Sequence, residues 1–344
     1  MTPITPSTHP AASSTTHAPL HALLTGSAFA PLPQTGWIKA TGDDRVRWLN
    51  GMTTNSIQQL QPGQGNYNFL LSAQGRIQGD AYAFALADHI LLETDRAHLP
   101  ALVELLDRFI IMDDVLLEDV SARRHGILCA GPTAAATLQS LGIEAAALDS
   151  LALRSLPWRG AEIILLSAYS LLVPRFELWT EDAATAQALT EALTAAGAAP
   201  VDADALDQVR LLEGTPRYGI DIRDRELPQE TEQTRALHFA KGCYLGQEIV
   251  ERIRSRGNVH RTFHAFLLTG EFPFAGAALE TDGKPVGELT SALTIPFPDG
   301  PVQLALGYIR REALDRGLPL HYPGGEAAPV SVPYRDALTP PGIS

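Results

Sequence analysis

The stretch Lys241-Gly-Cys-Tyr-Leu-Gly-Gln-Glu-Ile-Val-Glu-Arg-Ile-Arg-Ser-Arg-Gly-Asn-Val-His-Arg261 organises the reading of this chain. Cys243, one of only two cysteines, stands between Gly242 and Gly246 ahead of a helical pattern. Leu245, Ile249 and Ile253 recur at spacing four, which predicts one buried helical face. Gly257 is expected to end that helix in the left-handed conformation. The free N–H groups of a helix start and the Lys241 ammonium both favour thiolate over thiol at Cys243. Lys241, Arg252, Arg254, Arg256 and Arg261 set five positive charges against Glu248 and Glu251, in a chain of net charge −13. A positive patch on an acidic protein points to an anionic ligand. Spacing alone leaves open the alternative of a solvated arginine face and a small buried cysteine.

Composition bounds the function. The chain has 344 residues, 45% of them hydrophobic and 19% charged, enough for two or three ordinary globular domains. An acidic chain is not built to coat nucleic acid, and no direct nucleic-acid binding is expected. Two cysteines cannot form a disulfide framework, so a reducing compartment is expected. Cys129, in Gly-Ile-Leu-Cys-Ala130, reads as core. No metal-ligand spacing is present, and none of the apolar runs is long enough for a membrane helix. Residues 1–34, rich in Thr, Ser, Pro, Ala and His, read as a disordered tail without a targeting signature. A cytoplasmic protein follows.

Outward from the central stretch, a strand is expected over Trp37–Thr41, then a short helix capped by Asp43 or Asp44. Paired strands flank the turn Ala73-Gln-Gly75, a third strand covers Ile90–Thr94, and a helix carries Leu102, Leu105, Leu106 and Phe109. Val115–Asp119 leads to a second alternation of strands and helices through the alanine-rich helix at 183–196. Another helix follows over 205–213, ended by Gly214. After Arg261, short strands separated by Gly and Pro predict a small antiparallel barrel. The expected class is α+β, with ferredoxin-like modules around a central cleft and a C-terminal barrel. The expected boundaries are 35–118 with 200–256, 119–199, and 257–335.

Lys241-Gly-Cys-Tyr-Leu-Gly-Gln-Glu248, followed by Arg252, resembles the motif of the YgfZ-type folate-binding proteins, relatives of the glycine-cleavage aminomethyltransferases. Trp48-Leu-Asn-Gly-Met-Thr-Thr-Asn-Ser-Ile57 is similar to the family's Phe-Leu-Asn-Gly-Gln-Thr-Thr-Asn-Asp-Ile, departing at Trp48, Met52 and Ser56. Arg210-Leu-Leu-Glu213, Gly214-Thr-Pro216 and Tyr218-Gly-Ile-Asp-Ile222 continue the resemblance. So do Gly287–Ser291 and Ala305–Ile309, in collinear order. The resemblance implies tetrahydrofolate or a derivative in the central cleft, with Asn50, Thr53, Asp80, Arg210, Lys241, Tyr244, Gln247, Glu248 and Arg252 around it and Cys243 as the working thiol. It also implies an accessory role in assembling or repairing iron–sulfur clusters, with client enzymes or assembly factors as partners.

The alternative is a folate-dependent aminomethyltransferase or demethylase. Gly75-Arg-Ile-Gln-Gly-Asp80 keeps one carboxylate but has Gly79 where those enzymes carry another, and Asp80 beside Arg76 reads as an ion pair. Tyr169-Ser-Leu-Leu-Val-Pro-Arg175 lacks the glutamate of the enzymes' pterin loop. These departures favour a non-enzymatic protein. Arg210 could hold the folate tail or clamp a loop through Glu213 or Asp221. A third reading, a plain RNA-binding module, has only the patch from Arg252 to Arg261 in its favour.

Overall fold

The structure, a computed structural model, describes residues 17–335 except Asn258. Two sheets face one another, and a closed barrel follows. The first sheet has the order Gly65–Leu71, Ile77–Ala85, Ile90–Asp95, Thr35–Thr41, Leu116–Asp119, with every neighbour antiparallel. Period-two alternation sorts its side chains. Ala81 and Ala83 pack under the helices Arg45–Met52 and Leu99–Asp107 with Leu49, Leu102 and Leu106. Phe84 and Leu91 belong to the opposite face, which meets the second sheet. Asp44 precedes the first helix in αR backbone (φ −85°, ψ −6°) and makes no side-chain cap. Its carboxylate instead takes the Asp114 N–H and pairs with Arg47.

The second sheet runs Ala199–Pro200, Ala28–Pro31, His125–Ala130, Arg175–Thr180, Ala161–Ser167, Leu153–Trp158. Ala134–Ser140 and Ala183–Ala195 cover one face, where Cys129, Leu165 and Leu178 meet Leu138, Leu189 and Leu193. The other face turns to the first sheet, and Trp37 meets Trp179 edge-on at 5.2 Å. Such a contact contributes about 0.5–1.5 kcal/mol beyond its burial.

Here the structure corrects the expected tail. Residues 1–16 lie outside the described residues, but 17–34 are ordered. Helix His17–Thr25 buries Leu20 and Leu23. Ala28–Pro31 lies between His125–Ala130 and Ala199–Pro200. Partners about a hundred residues away supply this order, so local composition could not show it. Leu153–Trp158, also missed, is an edge strand, the place where Pro157 is tolerated.

The barrel closes in the order Arg261–Gly270, Gly300–Arg310, Lys284–Phe297, Ala278–Thr281, Leu320–Tyr322, Gly325–Val330. Two segments singled out in the sequence pair directly, Gly287 opposite Ile309 and Leu289 opposite Gly307, around a bulge. A Cβ at Gly307 would lie 2.2 Å from the Glu288 carbonyl oxygen, so only glycine fits that crossing.

Asp221, fully buried, ties the barrel to the helix Ala203–Glu213. Its Oδ2 accepts from Arg210 Nη1 at 2.8 Å and the Arg217 N–H at 2.9 Å. Its Oδ1 accepts from the hydroxyls of Thr290 and Ser291, both on the barrel. Asp221→Ala would leave Arg210 buried beside Asp207 with one carboxylate too few. Removing one partner of a buried pair costs about 3–5 kcal/mol. Urea unfolding of Asp221→Ala is expected to show a loss of that order, and a loss below about 1 kcal/mol would contradict this role.

Candidate functional site

The Lys241–Glu248 loop crosses the edge of the first sheet. Lys241 is buried, and its Nζ donates to the carbonyl oxygens of Asn50 (2.6 Å), Thr53 (2.5 Å) and Asn55 (2.5 Å). Burial pulls its pKa down to about 7. The three carbonyls, which take all three ammonium protons, favour the charged form. Asn50 Oδ1 accepts from the Ile57 N–H, and Thr53 Oγ1 donates to the Leu49 carbonyl. Asn50, Thr53 and Lys241 thus lock the two sequence motifs to each other. Gln247 Oε1 accepts from the Tyr244 N–H, and Tyr244 packs with Tyr67, Phe69 and Val250. Gly246 has φ +80°, and a Cβ there would lie 2.5 Å from the Ser72 carbonyl oxygen.

The motif helix is Gln247–Arg256. Val250 is its fully buried residue, with Ile249 and Ile253 half-buried. Gly257 is extended at φ −176°, so the left-handed glycine stands before this helix rather than after it. The expected cationic patch is largely spent internally. Arg252 pairs with Glu248 and Arg254 with Glu251, both exposed pairs worth little. Arg261 turns inward to Glu226, Glu230 and Glu288.

A cavity of about 490 Å³ opens between the two sheets, with the helix Ala203–Glu213 along one side. The first sheet contributes Asp80, Tyr82 and Glu93, and the second contributes Arg175 and Glu177. Tyr67, Tyr169, Tyr218 and Arg235 complete a polar and aromatic wall. Of the residues expected around the ligand, the structure places Asp80 and Arg210 on this wall. Asn50, Thr53, Lys241, Tyr244, Gln247, Glu248 and Arg252 do not line it, and neither does Cys243. The reason is the sheet edge: Leu245 packs with the helix-covered core and Tyr244 with the cluster around Phe69. Cys243 between them faces solvent rather than the cavity.

Asp80 is not paired with Arg76, whose guanidinium donates to the Arg225 carbonyl. Asp80 Oδ2 accepts from the Tyr67 hydroxyl at 2.6 Å. Burial raises its pKa, and the Tyr67 hydrogen bond works against that rise. Arg210 makes four hydrogen bonds within the fold: Nε to Asp207, Nη1 to Asp221 and the Thr215 carbonyl, Nη2 to Ser291.

Three acids that sequence reading did not place around a ligand also line the cavity. Glu177, 1% exposed, accepts from Arg175 Nη2 and from Trp179 Nε1, each at 3.0 Å. Glu93 has no hydrogen-bond partner among the described residues. Its pKa is pushed well above the ordinary carboxylate value by burial and then by the Glu177 carboxylate. Glu213 Oε1 accepts from the Leu171 and Leu172 N–H groups and so braces the loop that lacks its own glutamate. The available signal was a charge inside an apolar strand, as in Phe-Glu-Leu-Trp179 and Leu-Leu-Glu-Thr94.

Facing sheets with a cavity between them and an appended barrel define the aminomethyltransferase-like fold. Residues 13–241 match the family model described as the GCVT N-terminal domain, and the chain belongs to that family. It is similar to a chloroplastic, transferase-like protein of Arabidopsis thaliana, 25% identical over 339 residues, 94% of this chain and 75% of that one. It is also similar to the aminomethyltransferase of Geobacillus kaustophilus, 29% identical over 294 residues, 79% of this chain and 76% of that one. Among solved structures, aminomethyltransferase T of the glycine cleavage system from Bartonella henselae superposes with TM-score 0.79 at 21% identity, covering 93% of this chain and 90% of that one. That likeness is one of fold.

Two measurements follow from this geometry. Burial lifts the Cys129 thiol to about 11, whereas Cys243 is exposed. Native protein is therefore expected to react with one equivalent of a thiol reagent at pH 8, at Cys243, and with two when unfolded. Rapid native labelling of Cys129 would contradict the assignment. Glu93 has a folded pKa above its unfolded value. Its contribution to stability is intact below the unfolded pKa of about 4.3 and is lost as pH rises through the folded value. Glu93→Gln is expected to stabilise the protein at pH 7.5 by on the order of 1 kcal/mol and to be near neutral at pH 4. Melting curves at the two pH values read the difference directly.

Proposed function

We propose that this chain is a folate-binding protein of the YgfZ type, supporting the assembly or repair of iron–sulfur clusters in client enzymes, including those that thiomethylate tRNA. The observation that carries the folate part is the cavity. Its volume falls in the range of small-molecule sites, and it combines aromatic faces with a few convergent polar groups. The Glu93 carboxyl offers an acceptor for the ring N–H or amino group of a pterin, and the tyrosines offer faces for its plane. Residues present in this chain thus fit the ligand. The family's aminomethyltransferases are expected to use it in the same place.

The accessory part rests on Cys243. An exposed thiol, on a loop anchored by Lys241, is accessible to a large partner rather than to the cavity ligand. This separates ligand binding from client contact. A cytoplasmic location fits two free thiols.

One observation favours the transferase reading. Asp80, on the cavity wall with a raised pKa and a Tyr67 hydrogen bond, is the kind of carboxyl that handles a proton beside a folate nitrogen. Turnover of a methylated amine with tetrahydrofolate, abolished by Asp80→Asn, would establish that reading.

Tetrahydrofolate is expected to raise the melting temperature, because a ligand of the native state adds about 2.7 kcal/mol at a hundred times its Kd. No shift at millimolar ligand would remove folate. Cys243→Ala is expected to keep both the melting temperature and the ligand shift while losing cluster-enzyme activity in cells. Normal cluster-enzyme activity in that variant would overturn the role of the thiol.

A further inference from the structure

The cavity's charges do not balance in pairs. Four arginines line it. Arg175 is bonded to Glu177, Arg210 to Asp207 and Asp221, and Arg217 to Asp207. Arg235 alone among them has no carboxylate within salt-bridge distance among the described residues. Its guanidinium lies instead against aromatic faces, 3.8 Å from the centroid of Tyr169, 4.2 Å from Tyr67 and 5.5 Å from Tyr82. Nε donates to Gln233 Oε1 and Nη1 to the Tyr82 hydroxyl, each at 3.2 Å. Nη2 makes no hydrogen bond within the described residues.

Rings and neutral acceptors stabilise a guanidinium without neutralising it. A carboxylate partner would have done both. The tyrosine stack also holds the planar fork in one orientation, so little side-chain freedom is lost when an acceptor arrives. A half-buried cation that is held in place, lines a cavity and keeps one donor unused is arranged to receive an anion.

We propose that Arg235 is the cavity's anion receptor, a specificity-determining residue that takes an anionic oxygen of the ligand on Nη2. The ligand class is then a planar heterocycle carrying a carboxylate. Its N–H edge is read by Glu93, and its anionic group by Arg235. The naming of that carboxylate as the tail of a folate rests on the function proposed above, whereas the role of Arg235 does not. Arg210, the residue the sequence offered for the tail, is already paired with Asp207 and Asp221.

Three probes and two variants separate the possibilities by calorimetry. Tetrahydrofolate carries ring and carboxylates, tetrahydropterin the ring alone, and p-aminobenzoylglutamate the carboxylates alone. Arg235→Gln is expected to weaken tetrahydrofolate roughly ten- to hundredfold, the equivalent of one charge-assisted hydrogen bond. It should leave tetrahydropterin unchanged. Arg235→Lys, which keeps the charge but not the fork, should fall between and serves if the glutamine variant does not fold. Unchanged tetrahydrofolate affinity in these variants overturns the role of Arg235 and leaves folate binding standing. Equal losses for tetrahydrofolate and tetrahydropterin also overturn it, by showing a structural effect. Wild-type binding of p-aminobenzoylglutamate alone, lost in Arg235→Gln, supports the receptor and defeats the folate reading. Wild-type binding of none of the three defeats both.

Discussion

A single buried carboxylate holds the architecture to one arrangement. Asp221 sits where the helix Ala203–Glu213, the loop after it and the barrel meet, and it satisfies donors from all three. Burying an ionised carboxylate is tolerable only when its lone pairs are filled, which sets where each donor must stand. Arg210 is thereby held to Asp221, and the helix that walls the cavity cannot shift against the barrel without leaving a charge unpaired. The same logic operates at Lys241, whose three carbonyl acceptors come from the end of the helix Arg45–Met52 and the residues just after it. Asp221 and Lys241 each fasten one segment of the chain to another through the groups they satisfy.

The division between fastening and function follows the faces of the sheets. The first sheet gives one face to the helices Arg45–Met52 and Leu99–Asp107 and the other to the second sheet. Polar residues on the helix-covered side close loops on themselves. Polar residues between the sheets, Asp80, Glu93 and Arg235, are left with unmet or unbalanced hydrogen-bonding and charge. A protein interior keeps such groups only where something else satisfies them, whether a ligand, water or a proton. The exposed thiol lies outside that space, so a small-molecule site and a protein-facing site can coexist without sharing residues.

Much of the fold was legible in the sequence where the signal is local. Alternation marked the strands of both sheets, an αL glycine marked the end of the helix at Gly214, and Gly–Pro spacing marked the barrel. The N-terminal segment was not legible, because Ala28–Pro31 is a strand only by virtue of His125–Ala130 and Ala199–Pro200 beside it. Gly257 was misread for a similar reason. A glycine near a helix end does not say which end is tight, and Gly246 is the one pressed against the Ser72 turn.

From sequence alone came the class of fold, the collinear order of its motifs, and the assignment of Cys129 to core. Those follow from periodicity and from residue types whose constraints act within a few positions. Which face of a sheet each polar residue occupies, and which charges remain without partners, was decided only by tertiary structure. Glu93, Glu177 and Arg235 come from three distant segments. Their significance is a balance of charge and desolvation across a shared space, and no stretch of chain carries that balance by itself.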